Sequence, residues 1–433
     1  MLGPDSRRDN LSHRPGRTPD VWFSKGGKMR ETTEILISGG GVAGLTAACA
    51  FGTHGFRVVC VDPSAPVTEA EAEGADLRTT AILQPGVAVM TGAGLWDRLA
   101  PHAAALQVMR IIDAGGAEPV ARLTREFDAA DISDAPFGWN LPNWLLRREM
   151  VARLADLPNV SFRPGVGFAR MLARDASALV TLTDGTQIAA SLVVGADGRT
   201  SPVREALGIG VRTFRYGQKA LTFAVAHDQP HDNISTEVHR SGGPFTLVPL
   251  PDRNGQHASA VVWMETGPEV VRLNVLPVPE FEAEMTARSA GILGPLRLIS
   301  RRSVWPIISQ IADRMSGQRS VLMAEAAHVL PPIGAQGLNM SLSDLSVLLD
   351  LVLTHRADPG APAVTDTYHR RRHRDAQIRV SGIDLLNRAS MAGAQPLRDL
   401  RAQALDVLYS AQPVRKTLMR AGLGVRDSGR TGF

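Results

Sequence analysis

"TEILISGGGVAGLTAACAFGTHGFRVVCVD" occupies residues 33–62, and its reading decides the fold. The opening apolar run has the length and β-branching of a buried parallel strand. Leu45, Ala48, Cys49 and Phe51 then recur at helical spacing, and Gly55 stands where a helix C-cap is expected. "FRVVCVD" is a second buried strand ending at Asp62. The result is a strand–turn–helix–strand unit with Gly39-x-Gly41-x-x-Gly44 at its turn. Gly39 permits the tight turn, Gly41 admits a pyrophosphate, and Gly44 lets the helix pack close to the strand. The helix start at Val42 and Ala43 offers N–H groups and the positive end of a dipole to the phosphates. Asp62, 23 residues after Gly39, stands where a carboxylate binds ribose hydroxyls. Glycine turns also occur in unrelated α/β proteins. Here the strands, helix and distal acid stand in register, which favours dinucleotide binding. The stretches at Gly92 and Gly165 lack both the third glycine and the preceding strand. One dinucleotide therefore has a dedicated fold, and a second nucleotide binds elsewhere or transiently.

At 433 residues the chain is too long for one ordinary core, so two or three packed units are expected. Hydrophobic residues at 44% and charged residues at 21% are ordinary for a globular protein. The net charge of +4 gives no reason to expect a nucleic-acid partner. No uncharged apolar run reaches the roughly 18 residues of a membrane-spanning helix. Cys49 and Cys60 both fall in apolar periodic segments and read as reduced, buried thiols in a cytoplasmic setting. Neither has a His or Cys nearby at ligand spacing, so no metal site is expected. Residues 1–28 are polar and rich in Pro, Gly and Arg, and read as a disordered extension. Residues 29–210 read as a nucleotide-binding unit, with part of a second region at about 105–145. Residues 211–310 alternate as strands of a largely antiparallel inserted sheet. Residues 311–360 return to the first unit, and residues 361–433 are helical. Between Ala81 and Ala103 the pattern is mainly helical. The basic cluster at residues 369–374 reads as a solvated helix face, with a membrane-surface role as the other reading.

Two more stretches carry chemistry. "VVGADGRTSPVR", residues 193–204, is an apolar strand running into a Gly-Ala-Asp-Gly turn with a helix start at Pro202. By itself an Asp-Gly turn is only a turn. "MAEAAHVLPPIGAQGLN", residues 323–339, places a carboxylate before two prolines and a glycine-rich turn. Neither a helix nor a strand would choose that backbone. These motifs, in this order, resemble the single-component FAD-dependent aromatic hydroxylases of the para-hydroxybenzoate hydroxylase group. Within the group they are most similar to the ubiquinone-biosynthesis hydroxylases. "DLRTTAI" at 76–82, "GLWDRLAP" at 94–101, "FTLVPLP" at 245–251 and the tail "IDLLNRAS" at 383–390 add to the likeness, which covers about residues 33–424.

The resemblance implies an α/β fold. It has a Rossmann-like FAD-binding domain of the glutathione-reductase type, an inserted mainly antiparallel substrate sheet and C-terminal helices. It implies non-covalent FAD and NAD(P)H as co-substrate. Reduced flavin would activate O2 as a C4a-hydroperoxide that hydroxylates a phenolic ring, here best matched by a prenylated phenol. Peripheral contact with the inner membrane or a biosynthetic complex goes with that reading. A catabolic hydroxylase of a small aromatic acid and a non-catalytic flavin-binding accessory protein fit the same motifs. Carried over residue by residue, Arg78 lies near the flavin, Arg147 near the FAD ribose, and Asp197 is shared between FAD and NAD(P)H. Glu325 accepts from the ribityl chain. Pro332 and Gly334 stiffen and thin the late loop, and N–H groups near Gly337, Leu338 and Asn339 face the flavin N1–C2=O edge. The family's Gly-Asp is Ala324-Glu325 here, and its Ala-Gly before the glutamine is reversed as Gly334-Ala335. His328 reads as a packed histidine behind the loop. No residue can be assigned as proton acceptor for the phenol.

Overall fold

The computed structural model describes residues 22–23, 29–240, 242–391 and 394–423. Its first sheet has a parallel centre. Strand Met29–Ser38 lies between Gln187–Gly195 and Val58–Asp62, and Val160–Pro164 follows outside the latter. Ser320–Leu322 adds parallel to the end of Gln187–Gly195, so the chain returns to this sheet late. Phe168–Ala173 and Ala178–Leu182 extend it antiparallel through a turn at Gly185, whose φ is +86°. Helix Val42–Thr53 follows the first strand and is buried over most of its length, from Gly44 to Gly52. Ile35, Leu36, Ile37, Leu45, Phe51 and Tyr368 are fully buried in the core around it. Cys49 and Cys60 are buried and free there, and burial pushes the Cys49 thiol up to about 12.

The second sheet runs in the order His328–Val329, Ser303–Ala312, Val211–His227, Gln256–Thr266, Pro244–Arg253, Ile234–His239, Val108–Asp113, Leu123–Asp128. Its neighbours are antiparallel except Ile234–His239 with Val108–Asp113. One face packs on helices Gly267–Val275 and Val278–Arg288 through Trp263, Phe223 and Phe281. The other carries Ala220, Met264 and Ile307 against Ile333 of the late loop and Ile383 of helix Pro362–Ser390. Successive residues of one strand, Trp263 and Met264, thus serve opposite faces, as a pleated strand requires.

Several sequence expectations need correction. Trp22–Phe23 is a short strand paired with Met29 and Arg30, so the proposed extension is structured at that point; residues 1–21 and 24–28 lie outside the described residues. The 81–103 stretch is mainly helical as expected, in Gln84–Gly92, Trp96–Leu99 and the 3-10 turn Ala100–His102, but its first three residues close a strand, Thr79–Leu83. That strand pairs with Gly138–Pro142, and the cross-strand partners override the local helical pattern. The basic cluster is not one solvated face. Arg370, Arg371 and Arg374 are exposed, while Arg372 is buried against Asp344. Helix Gln336–Thr354 has the length and apolar composition of a membrane span, but half of it is buried inside the protein and it carries fully buried Asp344.

Candidate functional site

Three adjacent parallel strands end at one level, because Ser38, Gly195 and Leu322 are register partners. The Gly39 turn and the Met323 stretch start one residue beyond their partners, and the Gly-Ala-Asp-Gly turn starts at its own, Gly195. They are gathered at the carboxyl edge of the sheet, where crevices of open α/β sheets bind ligands. Gly39 has φ +117°, and a Cβ there would stand 2.2 Å from the Ala196 carbonyl oxygen. A Cβ on Gly44 would meet the Gly39 carbonyl at 1.9 Å. A Cβ on Gly41 would meet nothing within 4 Å, so space is left beside the start of the Val42–Thr53 helix, which no side chain caps. Asp62 accepts from the Gly40 N–H at 2.6 Å and the Ser64 N–H at 2.8 Å. It therefore braces the turn.

Asp197 accepts from Ser38 Oγ at 3.0 Å and the Val203 N–H at 3.2 Å, both on Oδ2. Its Oδ1 is buried and takes no hydrogen bond among the described residues. Burial raises its carboxyl above the ordinary value, against the hydrogen bonds from Ser201, Val203 and Ser38. An orphaned acceptor of this kind at a strand end calls for a donor from outside.

Glu325 sits on a short 3-10 turn, Ala324–Ala326, exposed and without a hydrogen bond from the described residues. Ala324 before it has φ +55°, the conformation the family's glycine would take freely. Its N–H donates to Asp344 Oδ2 at 3.2 Å. Asp344 is fully buried, 2.7 Å from His328 Nε2 and 2.7 Å from Arg372 Nε. Burial alone would raise its carboxyl, but His328 and Arg372 hold it below the ordinary 3.8. His328 is thus packed behind the loop. Asp344 was missed from sequence; the available signal was a lone acid inside an apolar helix.

The late loop ends at Ala335, φ +56°, which caps helix Gln336–Thr354 without a side-chain bond. The first N–H groups of a helix lack intrahelical partners. Gly337 is exposed, and a Cβ there would meet nothing within 4 Å; Pro332 is exposed too, and Gly334 is at φ +62°. Leu338 is half-buried against the core. The Asn339 side chain is a clamp: it accepts from the Leu83 N–H and donates to the Ala81 and Ala335 carbonyls.

The two arginines singled out from sequence converge on a residue that was not. Asp76, 7% exposed, accepts from Arg78 Nε at 2.8 Å and Asn143 Nδ2 at 3.0 Å, with Arg147 at 3.6 Å. Burial opposes its charge, and the bonds from Arg78 and Asn143 hold its carboxyl below the usual range. Arg78 also stacks on Trp305 at 4.0 Å and lies near enough to Glu325 to feel its charge. Arg148 turns away to Glu149 and Trp144.

At the junction with the second sheet, Tyr216 donates to Asp384 Oδ1 at 2.5 Å and bonds Ser309 at 2.6 Å. Burial and Asp384 push its phenol up to about 12, so it remains a donor. A cavity of about 730 Å³ lined by Arg240, Glu265 and Arg288 lies against helix Val278–Arg288, on the sheet face away from the late loop.

An open cradle at Gly41, an orphaned acceptor at Asp197, a free carboxylate at Glu325 and an uncapped helix start fit one extended dinucleotide, and FAD matches that donor and acceptor set. The profile of the FAD binding domain family matches residues 32–381. The chain is 34% identical to ubiquinone hydroxylase UbiL of Rhodospirillum rubrum, over 96% of this chain and 95% of that one. It is 27% identical to 3-demethoxyubiquinol 3-hydroxylase of Escherichia coli, covering 91% and 99% respectively. Among solved structures, p-nitrophenol 4-monooxygenase of Pseudomonas putida superimposes with a TM-score of 0.75 at 20% identity, over 92% of this chain and 99% of that one. The chain belongs to the FAD-dependent monooxygenases, and within them to the ubiquinone hydroxylase family. It is an FAD enzyme of aromatic hydroxylation in ubiquinone biosynthesis, in a family that typically uses NAD(P)H.

Proposed function

We propose that the chain hydroxylates a prenylated phenol and does so in the cytoplasm, at the face of the inner membrane. The observation that carries this reading is the junction between the late loop and the second sheet. Its buried members are Ala220, Met264, Ile307, Ile333 and Ile383, an aliphatic setting suited to an apolar ring and tail. FAD, when bound, supplies hydride acceptance from NAD(P)H and activation of O2.

The chain's residues do the rest. Gly39, Gly41 and Gly44 shape the turn, and the N–H groups of Val42 and Ala43 receive the pyrophosphate. Asp62 braces that turn and offers its carboxylate to the ribose. Asp197 and Glu325 accept from the cofactor's hydroxyls. Arg78 and Arg147, oriented by Asp76, hold positive charge at the same crevice. The uncapped N–H groups of the Gln336–Thr354 helix favour negative charge on the ring system. The junction's aliphatic side chains exclude water.

The test is a series of phenols of increasing prenyl length, assayed for NAD(P)H oxidation and hydroxylated product. Expected is a kcat/KM that rises with tail length. Best coupling by a small aromatic acid would overturn the substrate assignment. NAD(P)H oxidation indifferent to every phenol would favour the accessory-protein reading.

A further inference from the structure

The cavity beside helix Val278–Arg288 is lined by donors that lack acceptors. Its volume of about 730 Å³ is far more than a single water needs and falls within the range of small-molecule sites. Trp263 and Arg288, which line it, are 3% and 7% exposed. Each keeps a buried N–H, on Trp263 Nε1 and Arg288 Nε, with no acceptor among the described residues. Arg398, another lining residue, keeps a third on its Nε.

The charges point the same way. Arg288 spends its two amino groups on backbone carbonyls, Val238 at 3.0 Å and Gly243 at 2.6 Å, and makes no ion pair among the described residues. The Phe245 ring, 5.8 Å away, offers only its face. Burial, with Arg240 and Arg401 adding to it and Glu265 opposing, pushes the guanidinium down to about 10. A buried cation held by neutral dipoles alone is costly, and a bound anion relieves it. Arg240 and Arg398 add positive charge, each with one donor on a carbonyl, of Ala117 and Gly115 respectively. Of the lining acids, Glu269 and Glu284 are both bonded to Arg272. Glu265 remains, and burial raises its carboxyl above the ordinary value. That acid disfavours a dianion such as a phosphate monoester. A carboxylate has one charge and two acceptor oxygens, which suits a buried guanidinium beside a buried indole N–H. The remaining volume takes an organic body against Trp263, Ala117 and Ala287.

We propose that this cavity is a second ligand site, on the sheet face away from the flavin crevice, for a small organic molecule bearing one carboxylate. The test titrates the full-length FAD-loaded protein with benzoate and octanoate by calorimetry. Benzamide and phenyl phosphate serve as the neutral and dianionic counterparts of benzoate. Expected is carboxylate binding that leaves the flavin absorbance unchanged and is weaker by about tenfold or more for the amide. Arg288→Met, which removes the buried cation, should abolish binding. Ala287→Phe fills the same space from an exposed, uncharged position, and should abolish binding even if Arg288→Met fails to fold. Bound flavin reports the fold of each variant. No binding of either carboxylate, equal affinity for benzamide, or tighter binding of phenyl phosphate overturns the proposal. So does a carboxylate that shifts the flavin spectrum and still binds Ala287→Phe, because it then sits at the flavin crevice.

Discussion

The first turn and the late loop both bring backbone to the same sheet edge, but they reach it differently. At the first turn, residues 39–44, glycine stands wherever the backbone demands it. Gly39 is at φ +117° against a carbonyl, and Gly44 lies under another. At the late loop, alanine stands in the left-handed region twice, at Ala324 with φ +55° and Ala335 with φ +56°. There the conformation is held from outside, by Asp344 on the Ala324 N–H and by Asn339 on the Ala335 carbonyl. One element is specified by its own residues; the other is imposed by buried polar clamps from the helix that follows it. Strained backbone persists where surrounding structure over-determines it.

The largest expected effect comes from removing the clamp. Asp344→Asn takes from buried Arg372 and His328 the buried carboxylate they share, leaving Arg372 only the partly exposed Asp375, and should cost up to about 3–5 kcal/mol in denaturant unfolding. The same group sets an acid dependence. Because the folded carboxyl lies below 3.8, its contribution is full above that value and is lost as pH falls through the folded value. In Asp344→Asn that share of the acid lability should vanish. Unfolding curves identical to wild type would falsify the clamp.

Next comes the first turn. Gly39→Ala should destabilise by about 2–4 kcal/mol, from strain and contact with the Ala196 carbonyl. Gly41→Val should keep its circular dichroism yet purify without flavin, because the added atoms enter space the protein leaves open. A yellow Gly41→Val protein would remove that turn from the cofactor's site.

Glu325→Ala sharpens the comparison at the loop. A hydrogen bond from a flavin hydroxyl to a carboxylate contributes about 1.5–3 kcal/mol, so FAD affinity should fall roughly 10- to 150-fold. Titration of apoprotein with FAD measures it, and equal affinities would show that the carboxylate only faces solvent. The smallest effect has the opposite sign. Ala324→Gly and Ala335→Gly should each stabilise by up to about 1 kcal/mol, as relief of the left-handed alanine outweighs the entropy glycine loses. If either destabilises, the loop is not strained at that alanine.

Residues 33–62 were legible without coordinates, because a strand, a glycine turn and a helix are set by φ/ψ preference and hydrophobic period within one short window. Asp197 and Glu325 could be placed by motif, since each follows a recognisable strand. Asp76 could not be seen as the meeting point of Arg78, Asn143 and Arg147, nor Asp344 as the anchor of Ala324. Those partners lie up to 71 residues apart, and nothing in either window announces the other. The same holds for the Gln395–Ser410 helix. Its sequence is ordinarily amphipathic, and which side faces the protein was decided by Arg122, Arg125 and Asp113, far earlier in the chain. Local conformation is a property of neighbouring residues, so the chain itself determined the turns and strands. The partner of a buried charge depends on which distant segments the sheets bring together, and that only the tertiary structure decided.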